Sequence, residues 1–250
     1  MNIQTYQDQI AENLERVQEQ IVRAAQSAGR SPQAVKLVVV TKGHPFPAVE
    51  AAVQAGARRL GENYVDEGVE KIAGCLAADG LEWHMIGHVQ SRKARPVAEH
   101  FDWLHSLDSL KLAQRINQFA GERGRRMPVL LECNVSGEQS KFGFSAWDTA
   151  SWPELAAEFR RVVALPNLEL RGLMTMAPFY DEPELARPTF QALRRLQEFL
   201  VGSLDMPGCN ELSMGMSGDF EAAIQEGATL VRIGTAIMGP RLPRGEVTPG

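Results

Sequence analysis

The sequence has few cysteines and no long apolar run, and both features narrow the classes of protein to which it can belong. The chain contains only three cysteines, at widely spaced positions: Cys75, Cys133 and Cys209. An odd number at wide spacing favours free thiols in a reducing compartment over a disulfide framework or a zinc site. No stretch approaches the roughly 18 apolar residues of a membrane-spanning helix, and the first residues lack the apolar core of a signal peptide. We therefore expect a cytoplasmic protein without a membrane anchor.

A surplus of basic residues is also missing. The chain has 26 Lys and Arg against 31 Asp and Glu, with a net charge of −5, and the basic residues are scattered. We therefore expect no binding to nucleic acid. Its 250 residues, 44% of them hydrophobic, can bury a substantial core. Since no linker, repeat or low-complexity tract interrupts the chain, we expect one domain over residues 1–250, and we expect a monomer.

Helical patterns and short apolar segments alternate along the chain. Apolar residues from Ile3 to Ala24 recur at spacings of three and four, which predicts an amino-terminal helix that ends before Gly29 and Pro32. Further helical patterns lie between the apolar segments: one through Val49 and Val53 that ends near Gly56, and the stretches Lys111–Glu122, Glu184–Leu200 and Phe220–Glu226. The segments predicted as strands are KLVVVT, RRLGEN, EWHMIG, DWLHSL, PVLLECNV, ELRGLMTM, NELSM and LVRIGTAI.

Eight apolar strands separated by helices predict a parallel sheet with both faces covered. Eight such units in 250 residues predict an α/β fold, a single (β/α)8 TIM-type barrel with an extra N-terminal helix. A doubly wound open sheet is the alternative.

Lys42 stands at the end of the first predicted strand. Catalytic residues of barrels come from the carboxyl ends of the strands, where burial disfavours the charged form of a lysine. A neutral amine can attack an aldehyde and form a Schiff base. The alternative is a lysine that extends its amine into water at a strand end.

The segment SMGMSGD, residues 213–219, follows the seventh predicted strand and is rich in glycine and hydroxyl groups. Together with Gly234-Thr235 in the eighth, it lies where barrels often bind a phosphate. Ser217 is a candidate N-cap for the next helix, whose amino end favours anions. Asp219 and Glu221 fall in its first turn and would repel a phosphate unless they point away. The alternative is a tight loop with a helix cap. A Schiff-base lysine and a phosphate site on one barrel rim indicate pyridoxal 5′-phosphate (PLP).

Six motifs in order resemble those of the PLP homeostasis proteins, which are related to the barrel domain of alanine racemase: VTKGHP, GENYVDEGVEK, LEWHMIGHVQSRK, LRGLMTM, LSMGMSGDFEAAI and VRIGTAIMG. The resemblance runs from the first helix to about Pro240. The sequence departs from the family pattern at Gly43-His44, where a second lysine is expected, and at His88, where a proline is expected.

The resemblance implies a PLP-binding set without catalytic residues. Lys42 matches the lysine that holds PLP, and the phosphate would be surrounded by Ser213, Ser217, Gly234 and Thr235. Arg232 would face the pyridine nitrogen, with Asn63, His84 and Met174 near the ring. The implied function is to hold PLP, to contribute to intracellular PLP and amino-acid homeostasis, and to serve PLP-requiring apoenzymes. Amino acids could also form a Schiff base with the bound PLP.

Arg232 at the pyridine nitrogen has a chemical consequence. A guanidinium only donates hydrogen bonds, so it favours the unprotonated nitrogen and a weak electron sink. The alternative is an ion pair inside the barrel with an acid such as Glu211. A metal site at His84 and His88 is not expected, because positions four apart on a strand separate the two side chains too far for one ion.

Two other functions remain open. One is a PLP-dependent amino-acid racemase of the alanine racemase type, which needs a second base opposite the lysine. Tyr180 is the tyrosine to consider for that role. The other is a Schiff-base aldolase without PLP, which would be colourless. We expect the binding protein with little or no turnover, because alanine racemases carry an additional β domain.

Overall fold

The computed structural model describes residues 3–75, 80–138, 140–204 and 208–241. Within these residues eight parallel strands form a closed barrel, so the predicted barrel is confirmed and the open sheet is wrong. The strands are β1 (Lys36–Val40), β2 (Arg59–Glu62), β3 (Glu82–Met85), β4 (Trp103–Leu107), β5 (Met127–Asn134), β7 (Leu168–Met174), β8 (Glu211–Ser213) and β9 (Leu230–Ile233). Their hydrogen-bonded order is β4-β3-β2-β1-β9-β8-β7-β5, and a β4–β5 pairing closes the ring. A two-residue strand, β6 (Phe144–Ser145), pairs with β5 outside the ring.

Helices surround the barrel wall. They are α1 (Ile3–Ser27), α2 (Phe46–Gln54), α3 (Val65–Gly74), α4 (Ala94–His100), α5 (Leu110–Glu122), α6 (Trp152–Val163), α7 (Arg187–Leu204), α8 (Phe220–Gln225) and α9 (Thr235–Met238). The helix predicted from Glu184 begins at Arg187, because a 3-10 turn occupies Pro183–Ala186. No helix in the described ranges is long and apolar enough to cross a membrane.

The run of valines in β1 reflects burial on both faces of the barrel wall. Val38 packs inside the barrel with Leu130 and Met174, whereas Val39 belongs to the larger apolar cluster between the strands and the helices. The valine positions of the strand therefore require apolar side chains on both faces, which explains a continuous run in place of alternation.

The amino-terminal helix α1 is a structural part of the barrel. Ile10, Leu14 and Val17 are buried on one face, and α1 contacts α2, α8 and α9. The amide of Asn13 donates to the carbonyl of Ile237 at 3.0 Å. The helix ends as predicted, since Gly29 takes a φ of 66°, the left-handed conformation that commonly terminates helices.

Candidate functional site

A cavity of about 240 Å³ opens at the carboxyl ends of the strands. Its lining comes from several separate segments: Val40, Lys42, His44, Asn63, Ile86, Met176, Phe179, Tyr180, Pro183, Ala186, Met216, Ser217, Gly218, Asp219, Arg232, Gly234, Thr235 and Arg241. Six of the residues predicted for the site are among them: Lys42, Asn63, Ser217, Arg232, Gly234 and Thr235. This is the end of the fold at which barrels place their binding sites.

Lys42 lies two residues after the end of β1 at Val40, and its half-buried side chain lines the cavity. Its amine has no hydrogen-bond or ion-pair partner among the residues that the structure describes. Burial of the amine is the main reason that the pKa of Lys42 is lowered, and the positive charges of Arg241 and Arg232 lower it further. Glu62 and Glu67 act on this pKa in the opposite direction. An amine with a lowered pKa is more readily neutral and therefore nucleophilic, which distinguishes Lys42 from a lysine extended into water.

The cavity wall near Ser217 joins two chain segments. The Ser217 hydroxyl accepts the backbone N–H of Ala236 at 3.3 Å and so ties the loop after β8 to the start of α9. Thr235 is the first residue of α9, and the first N–H groups of a helix have no acceptor within that helix. The N–H groups of Ile237 and Met238 donate to the carbonyl of Gly234, so the Ser217 hydroxyl hydrogen and the N–H of Thr235 are the donors that remain, among the described residues, in this part of the lining.

The expectation that Ser217 caps the next helix is wrong. The N-cap of α8 is Asp219, two residues later, because the intervening residues form a turn. The Asp219 carboxylate accepts the backbone N–H of Met216 at 2.6 Å, so one of its oxygens is bound within its own loop. Glu221 is exposed and accepts from Gln20 on α1. Glu221 is thus directed away from the cavity, whereas Asp219 remains in its lining.

Arg232 is buried at the base of the cavity, with 4% of its surface exposed. Its guanidinium donates to the Ser213 hydroxyl at 2.6 Å and to the carbonyl of Thr175 at 2.9 Å. No carboxylate among the described residues lies within ion-pair distance of it, and Glu211 pairs with Lys36. The alternative of an Arg232–Glu211 ion pair is therefore wrong. Burial lowers the pKa of Arg232 to about 10.

Three of the residues predicted for the site lie deeper than the cavity lining. His84 and Met174 each precede a lining residue, Ile86 and Met176, by two positions. Because strand residues two apart point to the same face, His84 and Met174 share the interior face but sit one layer below. Ser213 is fully buried beneath Arg232. The structure does not bring these three side chains to the cavity surface.

A buried hydrogen-bonded chain, which the sequence did not reveal, continues below Arg232. The Ser213 hydroxyl lies 2.9 Å from Nδ1 of His105, whose Nε2 lies 2.8 Å from Nδ1 of His84. Burial lowers the pKa of both histidines. Both are therefore neutral at physiological pH, each with one N–H.

The two departures from the family pattern occupy different surroundings. Gly43 has a φ of 72°, which favours glycine, and His44 is buried beside the cavity with its Nδ1 3.3 Å from the Tyr6 hydroxyl. His88 lies at the surface, 2.8 Å from Asp108, and stacks on Phe142. Among the described residues no group of three His, Cys, Asp or Glu side chains is arranged to hold a metal.

Comparison with known proteins gives consistent matches over most of the chain. Residues 8–242 match the family model described as "Alanine racemase, N-terminal domain". The chain is 48% identical over 236 residues to the pyridoxal phosphate homeostasis protein of Pseudomonas aeruginosa, covering 93% of this chain and 96% of that protein. It is 35% identical to the structure of PipY from Synechococcus elongatus with PLP bound, with a TM-score of 0.76 over 92% of this chain and 100% of PipY.

An alanine racemase from Clostridium difficile shares the fold at a greater distance. The identity is 18% and the TM-score 0.68, and the match covers 96% of this chain but 59% of the racemase. This likeness concerns the barrel alone.

Proposed function

Because this chain belongs to the family of the alanine racemase N-terminal domain, and within it to the pyridoxal phosphate homeostasis proteins, we propose that it holds PLP as a Schiff base with Lys42. Through this binding it contributes to intracellular PLP and amino-acid homeostasis, with little or no catalytic turnover. The observation that carries the proposal is the unpaired, half-buried amine of Lys42 in a cavity that also presents hydroxyl and backbone donors.

The cavity residues fit a phosphorylated aromatic aldehyde. Oδ1 of Asn63 is buried in the cavity wall without a hydrogen-bond partner among the described residues, and such atoms usually meet a ligand or a water. Val40, Ile86 and Met176 supply apolar surface for a ring. When bound, PLP supplies an aldehyde for the lysine and a ring that can withdraw electrons.

Different residues of the cavity bind different parts of this ligand. Ser217, Gly234 and Thr235 bind the phosphate through hydroxyl and backbone donors, and Asn63 contacts the ring substituents. Arg232 directs donors toward the pyridine nitrogen and keeps it unprotonated, because a guanidinium has no acceptor. Ser213, His84 and Met174 support this set from the layer beneath.

The Schiff base between Lys42 and PLP is tested by reducing it with borohydride to a stable adduct. The purified protein should be yellow, and borohydride should fix PLP on Lys42, one of only six lysines in the chain. Lys42→Ala should remain folded and lose the adduct, whereas Lys141→Ala, a lysine outside the cavity lining, should keep it. An adduct that maps to another lysine would contradict the assignment, and a colourless Schiff-base protein would favour the aldolase.

The racemase alternative rests on Tyr180, which lines the cavity. Racemisation needs a second base across the ligand from Lys42, within about 3 Å of the α-carbon. Tyr180 is 38% exposed, so water competes with any substrate contact, and a weak electron sink opposes proton removal. Incubation with L-alanine in deuterated water separates the two functions. Rapid deuterium entry at the α-carbon with accumulation of D-alanine would make this protein an enzyme.

The cellular setting belongs to the same proposal: a cytoplasmic, monomeric, single-domain protein that binds PLP, forms Schiff bases with amino acids and serves PLP-requiring apoenzymes. The unpaired thiols of Cys75, Cys133 and Cys209 support a reducing compartment. Light scattering of the purified protein tests the monomer, and reactivation of a PLP-free aminotransferase by the loaded protein, compared with free PLP, tests the transfer.

A further inference from the structure

Lys71 of α3 carries a buried ammonium group whose three N–H donors are all used. Its Nζ donates to the carbonyl of Thr41 at 2.6 Å, to Oε1 of Glu62 at 2.7 Å and to Oε1 of Glu67 at 2.7 Å. Lys71 is 6% exposed, and Glu62 and Thr41 are fully buried. An ammonium has three donors, so this arrangement satisfies it completely.

The same two carboxylates hold the residues on either side of Lys42. The Thr41 hydroxyl donates to Oε1 of Glu62 at 2.6 Å. The backbone N–H of Gly43 donates to Oε1 of Glu67 at 2.5 Å. Both neighbours of Lys42 are therefore tied to one ammonium, and the reactive lysine is fixed from both sides by helix α3.

The charges of this cluster act on the Lys42 amine. Two carboxylates against one ammonium leave the cluster with an excess of negative charge, which favours a cation nearby. Arg232 from β9 and Arg241 from the segment after α9 oppose it. A buried ion pair contributes little to stability on average, so an arrangement this complete calls for another explanation.

We propose that Glu62, Glu67 and Lys71 form a positioning cluster that directs the Lys42 side chain into the cavity and sets the protonation of its amine. The proposal rests on the proposed function only in taking Lys42 as the reactive amine. Glu62, Glu67 and Lys71 are not among the residues that line the cavity, so the cluster acts through Lys42.

Glu67 allows charge and geometry to be separated. In Glu67→Gln the amide oxygen can still accept from Gly43 and Lys71, but one negative charge is lost. Glu67→Ala removes both the charge and the hydrogen bonds. Asp66→Asn is the matched control, because Asp66 precedes Glu67 on α3 but pairs with Lys93 at the surface, at 2.7 Å.

The first readout needs no PLP. Reductive methylation of the apoprotein with ¹³C-formaldehyde labels its lysines, and the signal absent from Lys42→Ala identifies Lys42. Its pH titration should show a pKa lower by about half a pH unit in Glu67→Gln, the order expected for one charge in a partly solvated site. General loosening of the fold would instead raise this pKa toward its ordinary value. Asp66→Asn should match the unaltered protein.

The second readout is the rate at which borohydride-fixed PLP forms on Lys42. We expect Glu67→Ala to slow it at least tenfold and Glu67→Gln to retain most of the rate, because Gln preserves the hydrogen bonds. An unchanged Lys42 pKa in Glu67→Gln would overturn the electrostatic role, and equal rates in both variants would overturn the positioning role. If Glu67→Ala does not fold, Glu67→Gln decides both roles, since a tenfold slower rate in this variant, whose hydrogen bonds are preserved, would also overturn the positioning role. If the unaltered protein gave no adduct, the proposed function would fail while the pKa comparison still tested the cluster.

Discussion

Glu132 is a buried carboxyl group whose ionisation should weaken the fold. It lies in β5, two residues after the inward-facing Leu130, and is 4% exposed. Its Oε2 has no hydrogen-bond partner among the described residues. Burial, and the nearby charge of Asp108, raise the pKa of Glu132 to about 7, although Arg232 partly offsets the effect. The group therefore becomes charged near neutral pH in surroundings that favour its neutral form.

The sign of the effect follows from proton binding. Between the ordinary pKa of 4.5 and about 7, the folded protein holds a proton on Glu132 that the unfolded chain has released. The free energy of unfolding therefore falls as pH rises through this window. At about 1.4 kcal/mol per pH unit the whole effect amounts to about 3 kcal/mol. Glu132→Gln removes the titrating group, so the variant should gain about 3 kcal/mol relative to the unaltered protein between about pH 4.5 and 8.

Urea unfolding of the apoproteins at about pH 5, 6, 7 and 8 measures this difference. A constant offset reflects how well the Gln amide fits, and only the change with pH reports the carboxyl group. Glu154→Gln, an exposed glutamate on α6, serves as the control. If the unfolding free energies of Glu132→Gln and the unaltered protein run parallel across this range, Glu132 ionises as in water and the reasoning is refuted.

Three further predictions concern single contacts. Ser217→Ala should weaken PLP binding by about ten- to a hundredfold, the worth of one charged hydrogen bond, with little change for unphosphorylated pyridoxal; equal losses in two titrations would exclude a phosphate contact. Gly87→Ala should lower both stability and PLP affinity, because the added carbon would lie 2.4 Å from the backbone oxygen of Asn63, whereas Gly202→Ala has open space; thermal melts and PLP titration compare them. Tyr6→Phe should cost about 1 kcal/mol in urea unfolding, since it loses the hydrogen bond to the last carbonyl of α9, and no loss would mean that this contact does not hold α1.

The order of strands and helices could be predicted from the sequence because most positions in the strands are apolar, although each run also carries polar residues. Eight apolar runs separated by helical patterns leave two arrangements that bury the strands, a doubly wound open sheet and a barrel, and the β4–β5 pairing that selects the barrel has no signal in the sequence. The small strand β6 could not be predicted, since two residues carry no periodic signal. The late start of α7 has a local cause in Pro183, which sits at the first position of the preceding 3-10 turn.

The cavity residues could be predicted only in part, because a strand pattern gives the face of a side chain but not its depth. His84 and Ile86 share the inner face of the barrel, and nothing in EWHMIG distinguishes the upper from the lower layer. The motifs identified the correct strands but did not indicate which inward-facing side chains reach the cavity and which lie beneath it. The residues contributed by loops, such as Phe179 and Arg241, have no periodic signal at all.

The hydrogen-bonded side chains below Arg232, which are Ser213, His105 and His84, support its guanidinium from the layer beneath the cavity. A guanidinium can only donate, so the Ser213 hydroxyl accepts from Arg232. Its oxygen keeps a second lone pair, so the tautomer of His105 decides which of the two groups donates in the contact with Nδ1. With its hydrogen on Nε2, His105 donates to Nδ1 of His84; with its hydrogen on Nδ1, it donates to Ser213 and accepts from His84. In both arrangements each contact is made with one hydrogen, and the series ends at His84, whose buried Nε2 has no hydrogen-bond partner among the described residues. Any ligand that accepts from Arg232 from above meets a guanidinium already held from below by Ser213 and by the carbonyl of Thr175.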